Sequence, residues 1–412
     1  MPRLGEVPQP GFEQRVVRDV ADGKADLGWV GTRTFDTLGV YDFQAVTAPM
    51  LINSYPLERA VIASDIPHRM LASLATLQLS GLAVLADGLR KPIAVKRPLV
   101  SLADWQGITF AAIRSRAQAA AVRALGAKPT DIWSSQLNDA LASGKVDGFE
   151  KNLLVYQING TQGVAPYVTA NVNLWPQTVA LFADPRRLAA LSADDRAWIR
   201  QAAADAAAHS TNLVDLDARS AAEACKAGAR FAAAPEAALA ALRKAFGPVY
   251  RSLERDPHTK AFIAQIEQLK RSTPAGPALA IPARCMTNAR TNHARATPAS
   301  GGNPAVLNGV YRIKWSAKEL LHAGANWRYV HTICGQRCVI TMRLRDGRYS
   351  FCQAPPSSCT GIYTVSGNNI YLHRYFRARW SLRNGELSFT DLISADDGDK
   401  VFFGAKPWKK IG

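Results

Sequence analysis

Two hydrophobic periodicities divide this chain. Up to about residue 270, short apolar runs alternate with stretches whose apolar positions recur every three or four residues. DLGWV (Asp26–Val30) reads as a buried strand that follows a helix over Arg15–Ala21, with Asp22-Gly23 as the break. FQAVTAPMLI (Phe43–Ile52) reads as a second strand ended by Pro49. GLAVLAD (Gly81–Asp87) and QGITFAAI (Gln106–Ile113) read as further strands. Helices are predicted over Gln118–Leu125 and Gln136–Ala142, then along the Ala-rich stretch from Ala193 to Phe246, which Pro235 divides. Leu239, Leu242 and Phe246 mark one packed helix face there. Helices interleaved with short apolar strands predict an α/β fold with helices covering a central sheet.

From Asn308 onward the period is two. In CVITMRLR, Cys338, Ile340, Met342 and Leu344 face one way, and Thr341, Arg343 and Arg345 the other. RARWSL repeats the pattern, with Ala378, Trp380 and Leu382 inside and Arg377 and Arg379 outside. Asp346-Gly347, Gly367-Asn368 and Asn384-Gly385 are hairpin signals. Strands at this spacing predict a small all-β antiparallel barrel or sandwich over residues 306–412. Residues 271–305, rich in Pro, Ala, Gly, Ser, Thr and Asn, have no sustained period and read as a linker.

The charge of +17, from 50 Lys+Arg against 33 Asp+Glu, first suggests a nucleic-acid partner. The basic residues are spread as singles and pairs, without a basic stripe interleaved with aromatics, which excludes that reading. About half of the excess lies after residue 300, where 16 basic residues face 7 acidic ones. The alternation places these arginines on outer strand faces.

Of the six cysteines, Cys225 lies in a helical stretch and Cys285 in the linker, while Cys334, Cys338, Cys352 and Cys359 crowd into 26 residues. Such crowding means disulfides or a metal site, and the spacings do not fit tight zinc knuckles. The even count favours bridges and a site outside the reducing cytosol. The chain shows no apolar run long enough to span a bilayer and no charged-then-apolar leader. It carries no G-x-S-x-G, H-E-x-x-H, Walker or G-x-G-x-x-G signature, so an enzyme is not expected. His322, His331 and His373 read as strand or loop residues, and no cofactor is implied.

Five segments, in order, resemble the solute receptors of TRAP (tripartite ATP-independent periplasmic) transporters of the dicarboxylate-binding type. VADGKADLGWV is similar to that family's helix-to-strand entry, and APMLINSY to its P-F-L-F/I-x-S-Y/H motif. DGLRKPIAVKRPLVSLADWQG resembles its G-x-R and P-x-D-L-x-G stretch. RALGAKPTDI and DALASGKVDGFEKN resemble its LGA-x-P turn and AL-x-x-G-x-VDG-x-E pattern. The resemblance covers about Val16 to Lys270. It implies an α/β two-lobed domain of the type II periplasmic-binding-protein class over 1–270, N-terminally incomplete, with the β domain appended. Lobe one would hold about 1–86 plus part of the chain after 174, and lobe two about 87–173.

The function implied is capture of a small organic anion by lobe closure, for delivery to TRAP-type membrane permease subunits by a monomeric, lipid-anchored extracytoplasmic protein. A different reading is a non-transport binding or scaffold protein acting through the basic β domain. The resemblance assigns ligand contact to Arg90, the arginine of G-x-R. The family's main carboxylate-binding arginine falls on Ala111, so Arg114 and Arg116 stand as substitutes, and Lys151, beside Glu150, is placed to supply the lost charge. Trp29, Phe149 and Trp175 are aromatic candidates for the cleft. Family members open with a leader and a strand–helix unit that completes lobe one. This chain starts inside the helix before Asp26, and the expectation is an upstream start or a shortened copy.

Overall fold

A computed structural model describes residues 11–212, 214–287, 303–324, 330, 337–350, 360–372, 376–394 and 397–412. The chain forms two compact units, one over 1–157 and 161–293, the other over 158–160 and 294–412. Among the described residues no helix is long and apolar enough to cross a membrane.

The first unit is built on an eight-stranded mixed sheet of β1 (Leu27–Gly31), β2 (Ser80–Ala94), β3 (Thr109–Ala112), β4 (Lys128–Asp131), β5 (Gly148–Lys151), β6 (Tyr167–Thr169), β7 (Trp175–Ala183) and β8 (Arg230–Ala232). Their order is β1-β7-β2-β5-β3-β4, with β6 on β2 and β8 on β6. β2 serves both halves of this sheet. Its residues Ser80 to Arg90 pair antiparallel with β7, and Lys91 to Ala94 pair with β5 and, in part, β6. The partner changes between Arg90 and Lys91, just after a bulge between Ala86 and Leu89. Gly88 within it has φ +87°, a region that costs any other residue strain.

β3 runs parallel to β4 and β5, and the helices Arg116–Ala124 and Ser134–Ala142 make the crossovers. Strand alternation then sorts the core. Phe110 and Ala112 face the cluster that holds Trp105, Phe35 and Phe182, whereas Ala111 and Phe149 face a second cluster with Leu137, Tyr156 and Phe231.

FQAVTAPMLI is not the strand its apolar run predicts. Asp42–Gln44 form a 3₁₀ turn and the rest is buried irregular chain. Continuous apolarity reports burial, not conformation. The backbone there is satisfied from outside: Met50 N–H donates to the Leu174 carbonyl (2.7 Å), Tyr250 Oη to that of Pro49 (2.8 Å), and Lys270 Nζ to those of Met50 and Leu51 (3.0 and 2.6 Å). The Ala-rich region holds helices Ala193–Ser210, Val214–Lys226 and Glu236–Ala245, with the short β8 between the last two.

The start of the expected linker is docked. The Cys225–Cys285 disulfide closes 60 residues with its Cα atoms 5.8 Å apart. Leu279 and Ile281 pack on the second cluster, and Met286 makes a parallel bridge to Phe231. Its composition is that of a linker, but these few apolar side chains and one bridge hold it.

The second unit is a closed antiparallel barrel of β9 (Gly309–Ser316), β10 (Arg337–Arg345), β11 (Arg348–Ser350), β12 (Thr360–Ser366), β13 (Asn369–Leu372), β14 (Phe376–Arg383), β15 (Glu386–Ile393) and β16 (Trp408–Lys410). All three hairpin dipeptides fall between paired strands. Closure requires the barrel, not the sandwich, and removes both sheet edges. Tyr311, Met342, Leu344, Tyr363, Leu387 and Trp408 fill the interior. The interleaved arginines point outward. The expected bridges among Cys334, Cys338, Cys352 and Cys359 lie outside the described residues, apart from the backbone of Cys338 in β10.

Candidate functional site

The carboxyl ends of β3, β4 and β5 open together beside the second half of β2, where α/β sheets place their ligands. A hollow of about 10 Å³, room for one water, lies there. It is walled by Ala111, Ala112, Ile113, Ile132, Leu137 and Phe149, and its polar side is Arg90, Glu150 and Lys151. Arg90 ends the β7-paired part of β2. Glu150 and Lys151 stand opposite Pro92 and Lys91 across the β2–β5 ladder.

All three polar side chains are buried. The Arg90 guanidinium grips Glu150 with two parallel bonds, Nη2 to Oε1 at 3.1 Å and a shorter one from Nε to Oε2. Such a fork fixes both groups in orientation. Burial, and then the neighbouring Arg90, push the Lys151 ammonium down to about 7. Burial raises the Asp87 carboxyl, against the opposing pull of Arg90, Lys151 and Arg33. Asn152 Nδ2 donates to the Asp87 carbonyl and ties the end of β5 to the Gly88 bulge.

Arg33 completes the group from the other half of the unit. It sits in the 3₁₀ turn Thr32–Thr37 after β1, 4% exposed, with Nη2 on Glu13 of the helix Phe12–Ala21. Its Nε and Nη1 are buried with no hydrogen-bond partner. The guanidinium folds over Gly31 so closely that a Cβ there would lie 1.7 Å from Nη1. Only glycine permits this approach. Arg90 and Lys151 thus line the hollow from β2 and β5, while Arg33, from the turn after β1, stands outside its lining but acts by its charge on Lys151 and Asp87.

A second polar group gathers around Leu89 and Lys91 of β2. Tyr55 Oη accepts from Leu89 N–H (3.4 Å) and donates to Asp217, and Lys91 Nζ donates to Asn173 Oδ1 (2.6 Å) and the Ala170 carbonyl (3.0 Å). Glu58, 2% exposed, has no partner on either carboxyl oxygen. Burial, with Asp87 and Asp217 nearby, raises it to about 8.

The sequence candidates divide around this geometry. Arg90, Phe149, Glu150 and Lys151 line the hollow. Arg114 is half exposed and paired with Asp131 (2.6 Å), and the Arg116 side chain is exposed. Trp175 is buried in the core opposite Arg90 in register, with its indole N–H unpartnered. Trp29 stands 67% exposed on β1, outside the hollow. Sequence reasoning missed Arg33, although a lone arginine in the otherwise uncharged run V-G-T-R-T-F, just past a strand, was a signal. It also missed Asp87 and Glu58. Among the described residues no cluster of His, Cys, Asp and Glu is arranged to hold a metal ion.

The family profile of the bacterial extracellular solute-binding proteins, family 7 (DctP), matches residues 7–256, more than half of the chain and all of the strands around the site. The chain belongs to this family. The C4-dicarboxylate-binding periplasmic protein DctP of Rhodobacter capsulatus is 29% identical over 131 residues, which are 31% of this chain and 39% of that relative. The match thus spans well under two thirds of the relative's length. Among solved structures, the TRAP periplasmic solute binding protein of Xanthobacter autotrophicus Py2, with bound β-D-galacturonate, superposes with a TM-score of 0.57 at 24% identity. That superposition covers 62% of this chain and 84% of the other. The TRAP protein of Desulfovibrio salexigens, with bound orotic acid, gives 0.57 at 16% identity over 63% and 84% of the two chains. At these identities the likeness establishes a shared fold. The barrel lies beyond the residues the profile matches.

Proposed function

We propose that this family 7 protein captures a small organic acid between the two halves of its first unit, outside the cytoplasmic membrane, and hands it to a TRAP-type permease. The observation that carries the reading is the pair of buried cations Arg90 and Lys151 lining the hollow at the carboxyl ends of β3–β5, with buried Arg33 acting on Lys151 by its charge. Arg90 is already held by Glu150. The unpartnered Nε and Nη1 of Arg33 are therefore offered to the ligand carboxylate, the buried Lys151 ammonium adds its charge, and Glu150 and Asp87 serve as acceptors for ligand hydroxyl or N–H groups. A site of mixed sign suits a hydroxylated or heterocyclic monoacid better than a plain dicarboxylate. The uronates and orotate bound by proteins of this fold support that class.

A hollow the size of one water admits no such acid, so entry requires the halves to part, and β2, which passes from β7 to β5 between Arg90 and Lys91 just after the Gly88 bulge, joins them. The Cys225–Cys285 bridge supports an oxidising compartment.

Calorimetric titration of the full chain against uronates, aldonates, orotate and C4-dicarboxylates tests the reading. Arg33→Met and Lys151→Met should each weaken the best monoacid by about tenfold or more. A folded protein that binds none of these acids, or binds one unchanged in both variants, refutes it.

A further inference from the structure

The barrel carries a cationic face that the solute site does not explain. On the outer sides of β9, β10, β11 and β16, Arg312, Lys314, Arg343, Arg345, Arg348 and Lys409 are all exposed. None of these four strands contains an acidic residue. Among the described residues, the carboxylates in ion-pair reach of this face are Asp346, on Arg345, and Glu386, on Lys409, each at 3.9 Å.

The register makes this more than a basic composition. Arg345 stands directly opposite Arg348 in the β10–β11 ladder, and Arg312 directly opposite Lys409 in the β9–β16 ladder. Like charges facing each other across a ladder cost stability, and one substitution in either pair would relieve it. Two such pairs on one face are what an anionic partner would compensate. The strand aromatics Tyr311, Trp315, Tyr349 and Trp408 all point inward, so the face offers bases nothing to stack on. Being the outside of a closed barrel, it is convex, without a groove for a polymer chain. Val339, 37% exposed, lies opposite Lys314 and adds an apolar contact among the cations.

We infer that this face docks on the surface of an anionic lipid bilayer. Arginines and lysines reach the phosphate layer while the barrel stays outside the hydrocarbon, and each contributes attraction that salt screens.

The test uses the full chain and vesicles of phosphatidylcholine with or without about one third phosphatidylglycerol, in sedimentation assays from about 0.05 to 0.5 M salt. Binding is expected to the anionic vesicles alone and to fade with salt. Arg312→Glu together with Arg348→Glu converts both repulsive pairs to attractive ones. The variant should therefore melt no lower than the parent while its vesicle binding falls at least about tenfold. Arg200→Glu with Arg251→Glu, the same charge change on exposed positions of the first unit, should leave binding within about twofold. The inference is overturned if neutral vesicles bind equally, or if the two double variants lose binding alike. It is also overturned if a single-stranded oligonucleotide binds more tightly than the vesicles and displaces them.

Discussion

Asp36 and Ser115 join the two halves of the first unit. The Asp36 carboxylate, in the turn after β1, accepts from Ser115 Oγ at 2.7 Å and from the N–H groups of Arg116 and Ala117 at 3.1 and 3.0 Å. A side chain from one half thus caps the helix that follows β3 in the other. Burial holds the Asp36 carboxyl above its ordinary value even so, and the three donors pull it back. Asp36→Ala strands buried donors and should cost about 2 kcal/mol. Asp36→Asn, which keeps one acceptor, should cost less. Urea midpoints of the two variants check the order.

Glu58 sets a pH dependence. Its folded value of about 8 lies above the ordinary 4.5, so between these the folded chain holds a proton that the unfolded chain has released. Stability from this group is therefore complete below about pH 4.5 and is lost as pH rises toward 8. Glu58→Gln should flatten that slope and raise stability near pH 8 by on the order of 2 kcal/mol. Equal urea midpoints for parent and variant at pH 8 would count against the burial argument.

If the proposed site takes an acid, Lys151 should make its capture proton-linked. Its ammonium, pushed down to about 7, is half deprotonated near neutrality, and an anion beside it favours the charged form. Binding of an acid at pH 7 to 8 should take up a proton, and affinity should fall as pH rises through that range. Titrations in buffers of different ionisation enthalpy read the uptake directly, and Lys151→Met should abolish it.

The Cys225–Cys285 bridge closes a 60-residue loop and should contribute roughly 4 kcal/mol by the chain-entropy argument. Cys225→Ser with Cys285→Ser should lower the melting temperature and release the segment around Leu279 and Ile281 to proteases. Cleavage near residue 280 at the parent's rate would show that packing alone holds it.

Much of the fold was legible because its signals are local. The two-residue alternation of CVITMRLR and the Asp346-Gly347 and Asn384-Gly385 turns specify hairpins without reference to distant residues, and the barrel has them where expected. The helix over Glu236–Ala245 and its buried Leu239 and Leu242 follow equally from spacing. Phe43–Ile52 was misread because burial alone does not choose a conformation. Its carbonyls are met by Tyr250 and Lys270, about 200 residues away in the chain.

The site divides the same way. The amino-acid sequence by itself determined a two-part chain, an α/β sheet unit and a β unit with arginines outside, and its motifs named Arg90, Glu150 and Lys151 as ligand candidates. Only the tertiary structure decided that Glu150 occupies the Arg90 fork and that Arg33 arrives from the other half over Gly31. It also decided that Trp29 lies outside, and that Arg345 faces Arg348. Periodicity encodes which face of an element is buried, because that depends on neighbours within a few residues. Which charges meet depends on ladder register and chain crossings between residues far apart in the sequence, and burial then sets their protonation.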